Sequence, residues 1–167
     1  MEDVKVSLRR YEDNLYVSGL GITVMGLWTA LKTIMEIFLV KHDDYNIDSQ
    51  STTDRVIFTV LAVILVSVFI FIVLKVHFYI GVNAIRAAKG KNYKKGYYTA
   101  TVVMLILLAF SMGAYTKLFD DLDNIDTTLA SMLVDVTTIY IFITVLISTN
   151  KLKKLKTEEE SPEEEKP

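Results

Sequence analysis

The chain has no cysteine. That excludes disulfides, thiolate nucleophiles, cysteine-based zinc or iron–sulfur ligation and palmitoylation. It also carries no nucleophile–base–acid set, no glycine-rich phosphate loop and no HExxH, so neither a catalytic residue nor a cofactor or metal site is expected. Excess charge of one sign is missing too. Eighteen Lys and Arg stand against 20 Asp and Glu, a net charge of −2 that gives no case for nucleic acid. Hydrophobic residues make up 51% of the chain, so bulk composition decides little, and the distribution of those residues decides more.

One stretch lacks charge altogether. Residues 56–74, VIFTVLAVILVSVFIFIVL, hold only Thr59 and Ser67 as polar members. Eleven of the nineteen are β-branched, which in water suggests a buried strand. Length argues the other way. Strands usually stop by about ten residues, whereas nineteen residues of helix rise about 28 Å, close to the roughly 30 Å hydrocarbon core of a bilayer. A lone segment in lipid satisfies its backbone only as a helix. The sequence thus predicts an integral membrane protein, all-α, with four spans at about 17–40, 56–76, 97–115 and 128–147.

The first span follows sixteen residues with four acids and is longer than a signal-peptide core, so it is expected to be retained. In those sixteen residues Val4, Leu8, Tyr11 and Leu15 recur at helical spacing, which predicts a short amphipathic helix at the interface. On span one, Gly19, Thr23, Gly26 and Ala30 form a small-residue side that lets another helix approach closely; Ala109 and Gly113 offer a similar contact on span three. Ser51 to Asp54 resembles a capping box opening helix two, which continues beyond Lys75 as an aqueous stalk and stops at Gly90. Tyr97 and Tyr98 read as an interfacial aromatic pair. Residues 151–167 form a basic-then-acidic tail, KLKKLK followed by TEEESPEEEKP, expected to be disordered in its acidic part.

Lys and Arg number 3, 5 and 4 at the N-terminus, after span two and after span four, against 2 and 1 in the other loops. This alternation follows the positive-inside rule and predicts a four-helix bundle in the cell membrane with both termini cytoplasmic. The two halves show a weak 2+2 pattern, which either duplication or simple alternation of short loops produces.

Three ionisable residues fall inside the spans: Lys32, Glu36 and Asp135. A charge near mid-membrane costs roughly 2.5–3.5 kcal/mol even on the lenient scale, so each needs a partner or water. Lys32 and Asp135 both lie about 12 Å from the outer ends of their spans. Thr29, Lys32, Thr33 and Glu36 make a polar face on span one, and Thr128, Ser131, Asp135 and Thr138 make one on span four. The cluster reads as an ion pair locking the two spans, as a coupling or binding site for a proton, cation or polar solute, or as a dock for a membrane partner. His42 on the outer side and His77 near the inner boundary are separated by the membrane and cannot share a metal, so each reads as a lone interfacial histidine, and the segment 120–126, DDLDNID, lacks the glycine of an EF-hand. The lysine-rich inner loop and KLKKLK suit anionic headgroups, and Trp28 is expected to pack.

The carboxylate in span one resembles that of small multidrug-resistance transporters, themselves four-helix proteins. This chain is longer, and its Glu36 lies near the outer end with Lys32 one turn away, so that activity is not carried over. The layout resembles small integral membrane proteins of bacteria. The expectation is a non-enzymatic accessory or interaction subunit in the lipid bilayer, with a membrane-protein partner or a second copy. The alternative is a small oligomeric transporter or channel using Lys32, Glu36 and Asp135.

Overall fold

The computed structural model describes residues 2–39, 52–118 and 125–160, which form four helices. They are α1 (Glu2–Leu39), α2 (Thr52–Ala88), α3 (Gly96–Leu118) and α4 (Ile125–Glu160). The two prolines, Pro162 and Pro167, both follow α4, so no proline ring interrupts a helix. All four helices are long and apolar enough to cross a membrane, and α2 holds the most apolar window, with a mean hydropathy of 3.3.

The packing order is α2–α1–α4–α3. α1 lies most extensively on α2 and next on α4, α4 carries α3, and α2 meets its sequence neighbour α3 only slightly. Three pairs trace the antiparallel course of α1 along α4: Glu12 with Lys156, Gly21 with Ile141, and Lys32 with Asp135. The core lies in the half of the bundle that carries both termini. There Leu15, Ile22, Ile80, Ala84, Tyr97, Phe142 and Val145 are buried.

The tightest seam joins α1 to α2. A Cβ on Gly19 would lie 2.9 Å from the Gly81 carbonyl oxygen, and one on Gly81 would meet Thr23 Oγ1 and come within 2.6 Å of the Gly19 oxygen. Further along α1, a Cβ on Gly26 would lie 2.5 Å from the His77 Cβ. Only hydrogen fits at these positions, which lets the two backbones approach. Thr23 keeps its hydroxyl inside the seam by donating to its own helix at Gly19 O, 3.1 Å away. Ala30 continues the stripe, 8% exposed.

Coverage of α2 fades along its length. On its bundle-facing stripe, His77, Ile80, Ala84 and Ala87 are buried, whereas Ala62, Val66, Ile70 and Val73 are only half-buried. Past Ala88 the chain turns through a left-handed Gly90 (φ 64°). Lys91 N–H reaches back to Arg86 O at 2.9 Å and Gly90 N–H to Ala87 O at 3.1 Å. This is the Schellman arrangement, and it ends α2 where the sequence places the stop.

Several expectations are corrected. The segment after Lys75 is no free-standing stalk: its inner face is among the most buried parts of the bundle, because its Ile, Ala and Gly residues recur at helical spacing against α1. The N-terminal helix is no separate interfacial element. It is the first part of the continuous 38-residue α1, and Leu15 anchors it in the core. The supposed tail is helical through Glu160, with Leu152 buried and Lys156 paired to Glu12 at 3.6 Å; its residues 161–167 lie outside the described residues. Tyr97 is 1% exposed and sits in the core, not on the surface of the bundle. Trp28 is 47% exposed on the outer surface. Ala109 is exposed, and a Cβ on Gly113 would meet no atom within 4 Å, so the pair does not form the close seam that Gly19, Gly26 and Gly81 form. Ser51 of the capping box lies outside the described residues.

Gly81→Ala and Gly26→Ala are expected to destabilise the protein by about 1–3 kcal/mol each, since neither site has room for a methyl group. Gly113→Ala is expected to be neutral or stabilising by up to about 1 kcal/mol. Thermal unfolding of the three variants in one detergent measures the contrast. A Gly81→Ala protein as stable as the parent would contradict the close seam.

Candidate functional site

Lys32 lies on α1 and Asp135 on α4, and the packing of these two helices brings them together. Lys32 Nζ is 3.5 Å from Asp135 Oδ2, with side chains 21% and 16% exposed. Each ion thus offsets the cost of removing the other from water. Such a pair contributes little net stability, but losing one member leaves the other charge stranded.

The neighbouring hydroxyls do not extend the pair into an interhelical network among the described residues. Thr29 donates to Met25 O at 2.9 Å, Thr33 to Thr29 O at 3.0 Å and Thr138 to Val134 O at 2.8 Å. Each bonds the carbonyl four residues back on its own helix, the usual way a threonine satisfies itself in apolar surroundings. Thr138 is buried at 3% exposure, and Ser131 is half-buried. Glu36 follows Lys32 by one turn on α1, but its side chain lies outside the described residues. So do His42 and residues 120–124 of the acidic segment.

His77 is the residue that sequence reasoning undervalued. It had the look of an isolated histidine near the inner boundary, yet it is 2% exposed at the junction of three helices. Its Cβ sits against Gly26 of α1, and its ring lies 5.8 Å from the Phe142 ring of α4, tilted by 57°. Nδ1 lies 2.9 Å from Val73 O, which makes it the protonated nitrogen and leaves Nε2 as an acceptor without a hydrogen-bond partner among the described residues. The available signal was Gly26, since a missing side chain on one helix marks where a neighbour inserts a larger one.

A second set of polar contacts ties the terminal end together. Tyr97 Oη and Thr149 Oγ1 share a 2.9 Å hydrogen bond, and Asn150 Nδ2 donates to Tyr98 Oη at 3.1 Å, so consecutive residues of α3 grip consecutive residues of α4. Asn83 spans the α2–α3 turn. Its amide donates to Tyr79 O at 2.7 Å, and its Oδ1 accepts the Lys94 backbone N–H at 2.9 Å. Lys89 Nζ lies 4.8 Å from the Tyr16 ring centroid, a cation–π contact between that turn and α1. No group of three His, Asp or Glu side chains with the spacing of a metal site occurs among the described residues.

Lys32→Met or Asp135→Asn alone is expected to destabilise the bundle by about 3 kcal/mol, and the double neutral variant to recover most of that loss. Thermal unfolding of the two singles and the double closes the cycle. A double variant as unstable as the sum of the singles would rule out the pairing.

No protein-family model matches this chain, and neither the curated proteins nor the solved structures include one significantly similar to it.

Proposed function

We propose that this chain is a multi-pass protein of the cell membrane, with both termini cytoplasmic, and that it works without catalysis as an accessory or interaction subunit. The observation that carries this reading is the exposure of α2 between Val56 and Ile72. Val56, Ile57, Phe58, Val60, Leu61, Val63, Ile64, Leu65, Val68, Phe69, Phe71 and Ile72 are each more than half exposed. They occupy most of the helix circumference, and none of its most apolar window is buried by the rest of the chain. A contiguous apolar surface of this extent belongs in lipid or against another protein. A helix that its own bundle holds firmly at one end and leaves uncovered at the other is well placed to pack on a partner's span.

The orientation is supported by the end of the bundle at which the cations lie. The start of α1, the α2–α3 turn and the end of α4 with its KLKKLK segment share one end, as the positive-inside rule requires of a cytoplasmic face. The Lys32–Asp135 pair supports a locking role, because each charge already has its opposite.

Tagged protein drawn from native membranes in mild detergent is expected to bring a stoichiometric second protein with it. Recovery of the chain alone, or only as its own oligomer, would favour a small oligomeric transporter or channel, tested by proteoliposome flux that Asp135→Asn abolishes. Tags at either terminus are expected to resist external protease in intact cells, and digestion of either would overturn the orientation.

A further inference from the structure

The seam that the bundle leaves open, between α2 and α3, forms a groove of about 780 Å³. That volume lies within the roughly 300–1,000 Å³ typical of small-molecule sites. One wall is a single face of α2, on which Phe71, Leu74, Phe78, Val82 and Arg86 follow at three- and four-residue steps. Lys94 closes the end nearest the termini, and its backbone is fixed there by the hydrogen bond to Asn83. The groove is mostly apolar, with Lys75 and Asn83 also in its lining, and Arg86 and Lys94 make it cationic at that end.

Charge defines the occupant. From residue 55 to residue 119 the chain has no Asp or Glu, although it has 20 in all. Residues 55–119 therefore offer no carboxylate to Arg86 or Lys94, and no ion pair engages either among the described residues. The ligand must supply the negative charge at the basic end and an alkyl chain along the rest. Lys75 is on the same wall but eleven residues from Arg86, about 16 Å along the helix, too far to share one phosphate. Its Nζ instead lies 4.9 Å from the Phe71 ring centroid.

We propose that this groove binds one anionic phospholipid, with its phosphate held by Arg86 and Lys94 and one acyl chain laid along Val82 and Phe78. The inference rests on the membrane reading given above. Basic pockets between transmembrane helices at the cytoplasmic face are the general form of such sites. Arg86 presents a forked donor to phosphate oxygens, and Lys94, in the same lining, adds a point charge. The side chains of Phe78 and Val82, 41% and 38% exposed, are left to meet the acyl chain.

The test has two parts. The full chain is first reconstituted in vesicles of phosphatidylcholine with phosphatidylglycerol and extracted with alkaline carbonate. It is then taken into mild detergent, and bound lipid is read by native mass spectrometry with phosphatidylglycerol or phosphatidylcholine added. The site requires one phosphatidylglycerol to be retained in preference to phosphatidylcholine. Arg86→Gln with Lys94→Gln should lower that preference about ten-fold or more. Val82→Trp, which fills the groove and keeps both charges, should also reduce retention. Lys151→Gln with Lys153→Gln, outside the groove, should leave it unchanged. Equal retention of the two lipids, or equal loss with the tail-lysine variant, overturns the site and leaves the membrane reading intact. Extraction of the chain by carbonate overturns both.

Discussion

The close approach of α1 and α2 governs this fold. In the proposed membrane setting, helices gain nothing from hiding apolar surface from water, so association comes from packing, and packing improves steeply as backbones draw together. Gly19, Gly26 and Gly81 remove the side chains that would hold the helices apart, and Thr23 and His77 occupy the space so created. Ile22, Ile80, Ala84 and Phe142 are buried around this seam. α4 then adds to α1 and α3 adds to α4, which leaves α2 and α3, though consecutive in the chain, without an extensive contact. The open groove is thus a consequence of where the small residues lie.

The bundle is closed at one end and open at the other. The end with the termini has buried aliphatic residues, the Tyr97–Thr149 and Asn150–Tyr98 hydrogen bonds, and the Glu12–Lys156 pair. That last pair is partly exposed, so its own energy is small; it marks the register of α1 on α4 more than it stabilises it. Towards the other end α2 loses coverage while holding the most apolar window of the four helices. In the proposed membrane setting, the firm end anchors the protein and the uncovered part of α2 offers surface to lipid or a partner. The Lys32–Asp135 pair stands between these regions and fixes α1 to α4 where packing is thinner.

The partnership of Lys32 with Asp135 was legible in the chain, because depth along a helix follows from counting residues and a buried charge demands an opposite one. The helical role of Gly19, Thr23, Gly26 and Ala30 was equally legible from spacing, although not which helix they meet. Other features were hidden for physical reasons. His77 and Tyr97 read as interfacial because each is amphipathic, and amphipathic residues serve equally at a membrane surface and in a core that offers a partner atom. Trp28 read as a packing residue because a large apolar ring fits a protein core and a lipid surface alike. The stalk and the tail were misjudged for a shared reason. Both follow the hydrophobic stretches, and composition does not reveal that a helix continues past the apolar run when a neighbouring helix continues beside it.

By itself, the sequence determined that the chain is helical, that four segments are long and apolar enough to span a bilayer, and where the charges alternate. These are local properties of composition and period, set before any two segments meet. The tertiary structure decided the packing order α2–α1–α4–α3, the burial of His77, the joining of Tyr97 to Thr149 and the gap between α2 and α3. Each of these depends on which surfaces come closest in three dimensions, and a hydrophobic helix carries almost the same pattern on every face until a partner selects one.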